Sequence, residues 1–113
     1  MIYKVRYNNR FPDVAKQEGI TSEELVEAIH AIEAAASDPT KPLHLNIKQE
    51  PIRDTQGQWY RFRPSKASKY RIAFSLQRET GHLTVEGIFR RNDHTYQRIV
   101  KLFNERNNPK RSD

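Results

Sequence analysis

Arg61, Arg63, Arg71 and Arg90 are spaced so that strand geometry sends them out between apolar or aromatic neighbours. A guanidinium is planar and permanently charged, and its donor fork fits two phosphate oxygens at once. Several guanidinium groups around one phosphate stabilise the charge that develops when a neighbouring 2′-hydroxyl attacks it, which is the metal-free route to RNA cleavage. That route also needs a base for the hydroxyl and an acid for the leaving 5′-oxygen. His94 is the histidine nearest these arginines in sequence, and imidazole is the usual acid–base group near neutral pH. Tyr96 stacks on a base, takes part in proton transfer, or packs as core beside Ile99 and Phe103. Glu86 acts as a base or, as favoured here, orients an arginine through a salt bridge. Trp59 is either a stacking platform or an edge of the core. Singly, each arginine reads as a solvated surface charge; together on adjacent strands they favour function.

Four alternating stretches must position these groups. Tyr3, Val5 and Tyr7 alternate with Lys4 and Arg6; Tyr60 and Phe62 with Trp59, Arg61 and Arg63. Tyr70, Ile72, Phe74 and Leu76 alternate with Lys69, Arg71, Ala73 and Ser75; Leu83, Val85, Gly87 and Phe89 with Glu86, Ile88 and Arg90. Successive strand residues point to opposite faces. Strict alternation therefore predicts one apolar face and one face collecting Lys4, Arg6, Arg61, Arg63, Arg71 and Arg90.

The spacing predicts a strand over 2–8, a short helix from Pro12 ending near Gly19, and a helix opened by the capping box Thr21-Ser22-Glu23-Glu24. Leu25, Ile29, Ile32 and Ala36 form its apolar stripe, and Asp38-Pro39 stops it. Leu43, Leu45 and Ile47 suggest an extra edge strand between Pro42 and Pro51. Strands over 58–63, 69–77 and 82–90, joined by short turns, predict an antiparallel meander. Asn92 or Asp93 caps a final helix. The expected fold is α+β: a small antiparallel meander sheet with helices packed on its apolar face and an open basic face. A single domain spans 1–106, and 107–113 reads as a disordered tail.

The chain has 113 residues and a net charge of +6. Residues 1–60 carry 7 Lys/Arg against 9 Asp/Glu, while 61–113 carry 13 against 5. So basic a second half points to an anionic partner, nucleic acid first and an acidic protein segment second. No apolar run approaches the ~20 residues of a membrane span. The absence of cysteine rules out disulfides and thiolate metal sites. No phosphate-binding glycine loop and no metal-spaced cluster is present.

Trp59-Tyr60-Arg61-Phe62-Arg63, Lys69-Tyr70-Arg71-Ile72-Ala73-Phe74 and Phe89-Arg90-Arg91-Asn92-Asp93-His94-Thr95-Tyr96, in this order, resemble the RelE/ParE superfamily of bacterial type II toxins, and within it the RelE ribonuclease branch. The resemblance implies a cytoplasmic, metal- and cofactor-independent endoribonuclease of bacteria or archaea. It would cleave mRNA in the ribosomal A site to a 2′,3′-cyclic phosphate, touch 16S rRNA, and be silenced by an acidic antitoxin. Arg61, Arg63, Arg71, Arg90, Tyr96 and His94 would then be catalytic, and Lys4, Arg6, Trp59, Lys69 and Arg91 would bind substrate. The chain departs from the family in a short first helix, a longer 42–57 link, and arginine where lysine is usual at the first two basic sites. The alternatives are a gyrase poison of the ParE type and a non-catalytic RNA- or ribosome-binding module.

Overall fold

The structure is a computed structural model that describes residues 2–38, 51–65 and 67–107. Its elements are β1 (Lys4–Tyr7), α1 (Phe11–Gln17), α2 (Ser22–Ser37), β2 (Trp59–Phe62), β3 (Tyr70–Gln77), β4 (His82–Arg90) and α3 (Thr95–Asn107). The expected α+β class is what the chain adopts. Pro12 lies in the first turn of α1, and Gly19 follows that helix with φ +70°, the left-handed conformation that ends helices. The capping box of α2 is complete: Thr21 Oγ1 accepts from Glu24 N–H at 3.1 Å, and Glu24 Oε1 accepts from Thr21 N–H at 3.0 Å. The suggested edge strand at 43–47 and residues 108–113 of the tail lie outside the described residues.

One sheet has the strand order β1-β4-β3-β2. β2, β3 and β4 make the expected antiparallel meander. β1 joins parallel to β4, so the sheet is mixed; the long excursion between β1 and the meander leaves room for a parallel return. One face packs Phe62, Tyr70, Ile72, Phe74, Leu83, Val85 and Ile88 against Phe11, Ala15, Ala28, Ile32 and Ala36 of α1 and α2.

The opposite face is not wholly open. Trp59, Ala73 and Phe89 there are buried together with Ile99 and Phe103 of α3. The cause is a β-bulge. Ala73 pairs with Gly87, but Phe74 pairs with Val85, so Glu86 is an extra residue in β4. One inserted residue reverses the parity of everything after it. Leu83 and Val85 thus face α1 and α2, whereas Gly87 and Phe89 turn toward α3. Glu86 itself is buried; its carboxylate accepts from Ser75 Oγ at 2.7 Å, Asn8 Nδ2 at 3.3 Å and Arg106 Nη1 at 2.6 Å. It does bind an arginine, but one on α3 rather than one on the strands.

Candidate nucleic-acid interface

Arg71 lies at the centre of a basic cluster on the α3 side of the sheet. Two residues along β3 from Arg71, Ala73 pairs with Arg61 of β2, and Arg71 itself pairs with Phe89 of β4. Arg61 and Arg71 therefore share a face, and the same alternation carried two residues past Phe89 brings Arg91 to it. The Arg91 N–H donates to Lys69 C=O at 2.8 Å, which prolongs the ladder that far. Arg71 Nη1 donates to the carbonyls of Ser68 (3.1 Å) and Tyr70 (3.0 Å), which holds its guanidinium beside the β2–β3 turn. Partial burial lowers the pKa of this guanidinium, and the positive charges of Arg63, Arg91 and Arg61 lower it further. Arg61, Arg63 and Arg91 are exposed. Among the described residues none of the four has a carboxylate partner; the ion pairs belong to Arg10, Arg90, Arg98 and Arg106. Four guanidinium groups close enough to repel one another, without a described carboxylate partner, form a surface whose charge suits a polyanion.

Arg90 does not belong to that cluster, which corrects the expected grouping. Beyond the bulge its parity is that of Ile88, so it points to the α1–α2 side. Its Nη1 donates to Glu24 Oε2 at 2.7 Å, and its Nη2 donates to Glu24 Oε1 at 2.7 Å and to Gly19 C=O at 2.6 Å. This fork, helped by the Thr21 N–H, holds the Glu24 carboxyl down at about 2. The unfolded chain therefore binds a proton more tightly than the folded one. The stabilisation is whole above the ordinary value of 4.5 and is lost as pH falls from there toward 2. Urea midpoints measured between those pH values should fall less steeply for Glu24→Gln than for the wild type.

Lys4 and Arg6 pair with His82 and Thr84, on the same face as the cluster but at the opposite end of β4. The seven residues from Thr84 to Arg91 put them about 20 Å away at the rise of a strand, so they do not join it. Trp59 is on the expected face but is 3% exposed, packed edge-on to Phe103 at 5.3 Å beneath Arg106. Because α3 covers it, Trp59 offers no stacking surface. Lys69 is exposed and supplies its carbonyl to Arg91. His94 is exposed in the turn before α3, its N–H held by Asn92 Oδ1 at 2.8 Å.

Of its anticipated roles, Tyr96 takes that of core packing. Its ring packs against the α3 core, while its hydroxyl donates to the Asp54 carboxylate and to Arg53 C=O at 3.3 Å. The Arg53 guanidinium lies 5.9 Å over the ring. The bond to Asp54 raises the phenol pKa, so the proton stays on Tyr96. Asp54 and Gln56 adopt positive φ (64° and 54°) in the loop that makes this contact, a conformation unusual outside glycine.

A cavity of about 480 Å³ lies at the other end of the α3 face, lined in part by Trp59, Ser75, Glu86 and Arg106. None of the four clustered arginines lines it. The cluster is instead an open surface, which suits a chain lying across it better than an enclosed small molecule.

Sheet order, flanking helices and the position of α3 give the chain a RelE-like fold. The chain is similar in structure to an E. coli toxin RelE mutant, with two arginines replaced by alanine, in complex with a peptide of the antitoxin RelBc. The TM-score is 0.51 at 17% identity, over 88% of this chain and 96% of that one. At that identity the likeness is one of fold. No family model matches the chain, and no curated protein is similar to it in sequence.

Proposed function

We propose that this chain is the toxin of a type II toxin–antitoxin pair and cleaves mRNA in the ribosomal A site without a metal. The observation that carries this reading is the cluster of Arg61, Arg63, Arg71 and Arg91, four cations without a described carboxylate partner on one open surface of a RelE-like fold. The 2′-oxygen forms a bond to phosphorus while the bond to the 5′-oxygen breaks, leaving a 2′,3′-cyclic phosphate and a 5′-hydroxyl. The arginines bind the two non-bridging oxygens and stabilise the added charge of the phosphorane. The 2′-hydroxyl gives up one proton and the 5′-oxygen gains one; His94 is the side chain proposed for this exchange. Tyr96 keeps its proton, and its half-buried ring is the surface proposed to stack on a base. An acidic antitoxin segment neutralises the same surface, and the cytoplasm is where such a toxin meets ribosomes.

The test is to induce expression in bacteria and map new mRNA 5′ ends against the reading frame. Ends at a fixed place within codons are expected. A flat profile alongside trapped DNA breaks would instead identify a gyrase poison, and salt-sensitive ribosome binding without new ends a docking module. Since the Tyr96 hydroxyl is committed to Asp54, Tyr96→Phe should leave the cleavage rate within about threefold, and Tyr96→Ala should lower it about tenfold through lost stacking. Single-turnover rates on programmed ribosomes would separate the two.

A further inference from the structure

We infer that Glu18 and Arg98 are positioning residues that hold Arg91 at the phosphate surface; the inference rests on the function proposed above. Arg91 is exposed, yet the backbone on either side of it is fixed from several directions. Its own N–H donates to Lys69 C=O at 2.8 Å. Before it, Glu18 Oε1 accepts from Arg90 N–H at 2.8 Å. The Arg90 carbonyl accepts from Arg98 Nη2 and from Thr95 Oγ1, both at 2.8 Å. After it, Asn92 Oδ1 accepts from Arg98 Nη1 at 2.9 Å, and Asn92 N–H donates to Thr95 Oγ1 at 2.7 Å. Glu18 and Arg98 close the arrangement with a two-point ion pair, Nε to Oε2 at 2.7 Å and Nη2 to Oε1 at 2.8 Å.

The clamp draws on three places in the chain. Glu18 stands at the C-terminal end of α1, Arg98 in α3, and the clamped peptide runs from β4 into α3. β1 ends at Tyr7, opposite Val85, so among the described residues no strand lies beside the outer edge of β4 beyond that point. Glu18 and Arg98 take up the outward N–H and C=O of Arg90 there. An ion pair with side chains only 11% and 30% exposed is a poor way to gain net stability, because desolvation offsets much of the attraction. What it supplies well is one fixed geometry. That geometry serves the residue whose charge acts on Arg71, and a displacement of about 1 Å at such a group lowers a rate about 100-fold.

The test is a double-mutant cycle between Glu18→Ala and Arg91→Ala. Single-turnover mRNA cleavage on programmed ribosomes and thermal unfolding are measured for all four proteins. Glu18→Ala is expected to lower the maximal rate by about 10- to 100-fold, with half-saturation changed less than about threefold. In the Arg91→Ala background it should lower the rate no further, while the drop in Tm is the same in both backgrounds. Glu18→Gln, which keeps an acceptor for Arg90 N–H, should recover most of the rate. Equal losses of rate in both backgrounds would reduce the clamp to a structural brace and overturn the inference. If Glu18→Ala fails to fold, Arg98→Lys, which keeps the charge but not the fork, takes its place in the cycle. If the wild type cleaves nothing, the functional reading fails separately. The cycle is then read from the affinity for a short single-stranded RNA: a loss that disappears in the Arg91→Ala background sustains the positioning role, and an additive loss or none removes it.

Discussion

Replacing Arg71 and Arg91 together with alanine is expected to lower mRNA cleavage by about four orders of magnitude, taking about 100-fold for each preorganised donor lost from a transition state. The folded structure should barely notice. Arg91 is exposed, and Arg71, whose charge is opposed by three neighbouring cations, loses two carbonyl bonds and gains relief from repulsion. Circular dichroism and Tm should therefore stay near wild type while growth arrest on induction disappears. Arg90→Ala should behave in the opposite way. It removes the fork on Glu24 and the bond to Gly19 C=O, so its first effect is on Tm. Full toxicity in the Arg71/Arg91 double mutant would reject the cluster as the active surface.

The second large effect is predicted at Gly87. A β-carbon there would come within 2.9 Å of the Phe89 ring and 3.2 Å of Leu102 on α3. Gly87 faces α3 beside Ala73, and the two small residues form the floor on which Phe89, Ile99 and Phe103 close. Valine adds two more methyl groups to that contact, and overpacking of this kind destabilises by about 3 kcal/mol. Gly87→Val should lower the unfolding free energy measured in urea by that amount, with an earlier midpoint, and loosen α3, read as faster amide exchange over 95–107. An unchanged midpoint would show that α3 has slack against the sheet. Gly87→Ala, with the single added carbon, should fall between the two.

Much of the architecture was legible because its signals are local. The capping box at Thr21–Glu24, the glycine after α1 and the alternation in β2 and β3 each depend on residues a few positions apart. The α+β class and the meander follow from them. What strict alternation concealed was the bulge, and with it the face of Arg90. A trace was present: Gly87 stands inside a strand that otherwise carries Thr84, Val85, Ile88 and Phe89, and an isolated glycine in a strand often marks an inserted residue. Allowing for one inserted residue would have moved Arg90 off the cluster and brought Arg91 to it. Trp59 misled for a related reason. Its parity was correct, but the helix that covers it lies 36 or more residues later, and no short-range pattern announces that contact. Glu18 with Arg98 and Asp54 with Tyr96 are likewise pairs distant in sequence, invisible until the sheet brings them together.

The extra residue at Glu86 also bears on how this strand may be compared with others. Two like residues stand side by side at 90 and 91, one serving the interior and one the exterior, and which does which is decided four residues earlier by a kink in the backbone. A matching made by serial position alone would hand the outer task to the inner residue. Correspondence across this hairpin has to be drawn from the direction in which each side chain leaves the sheet.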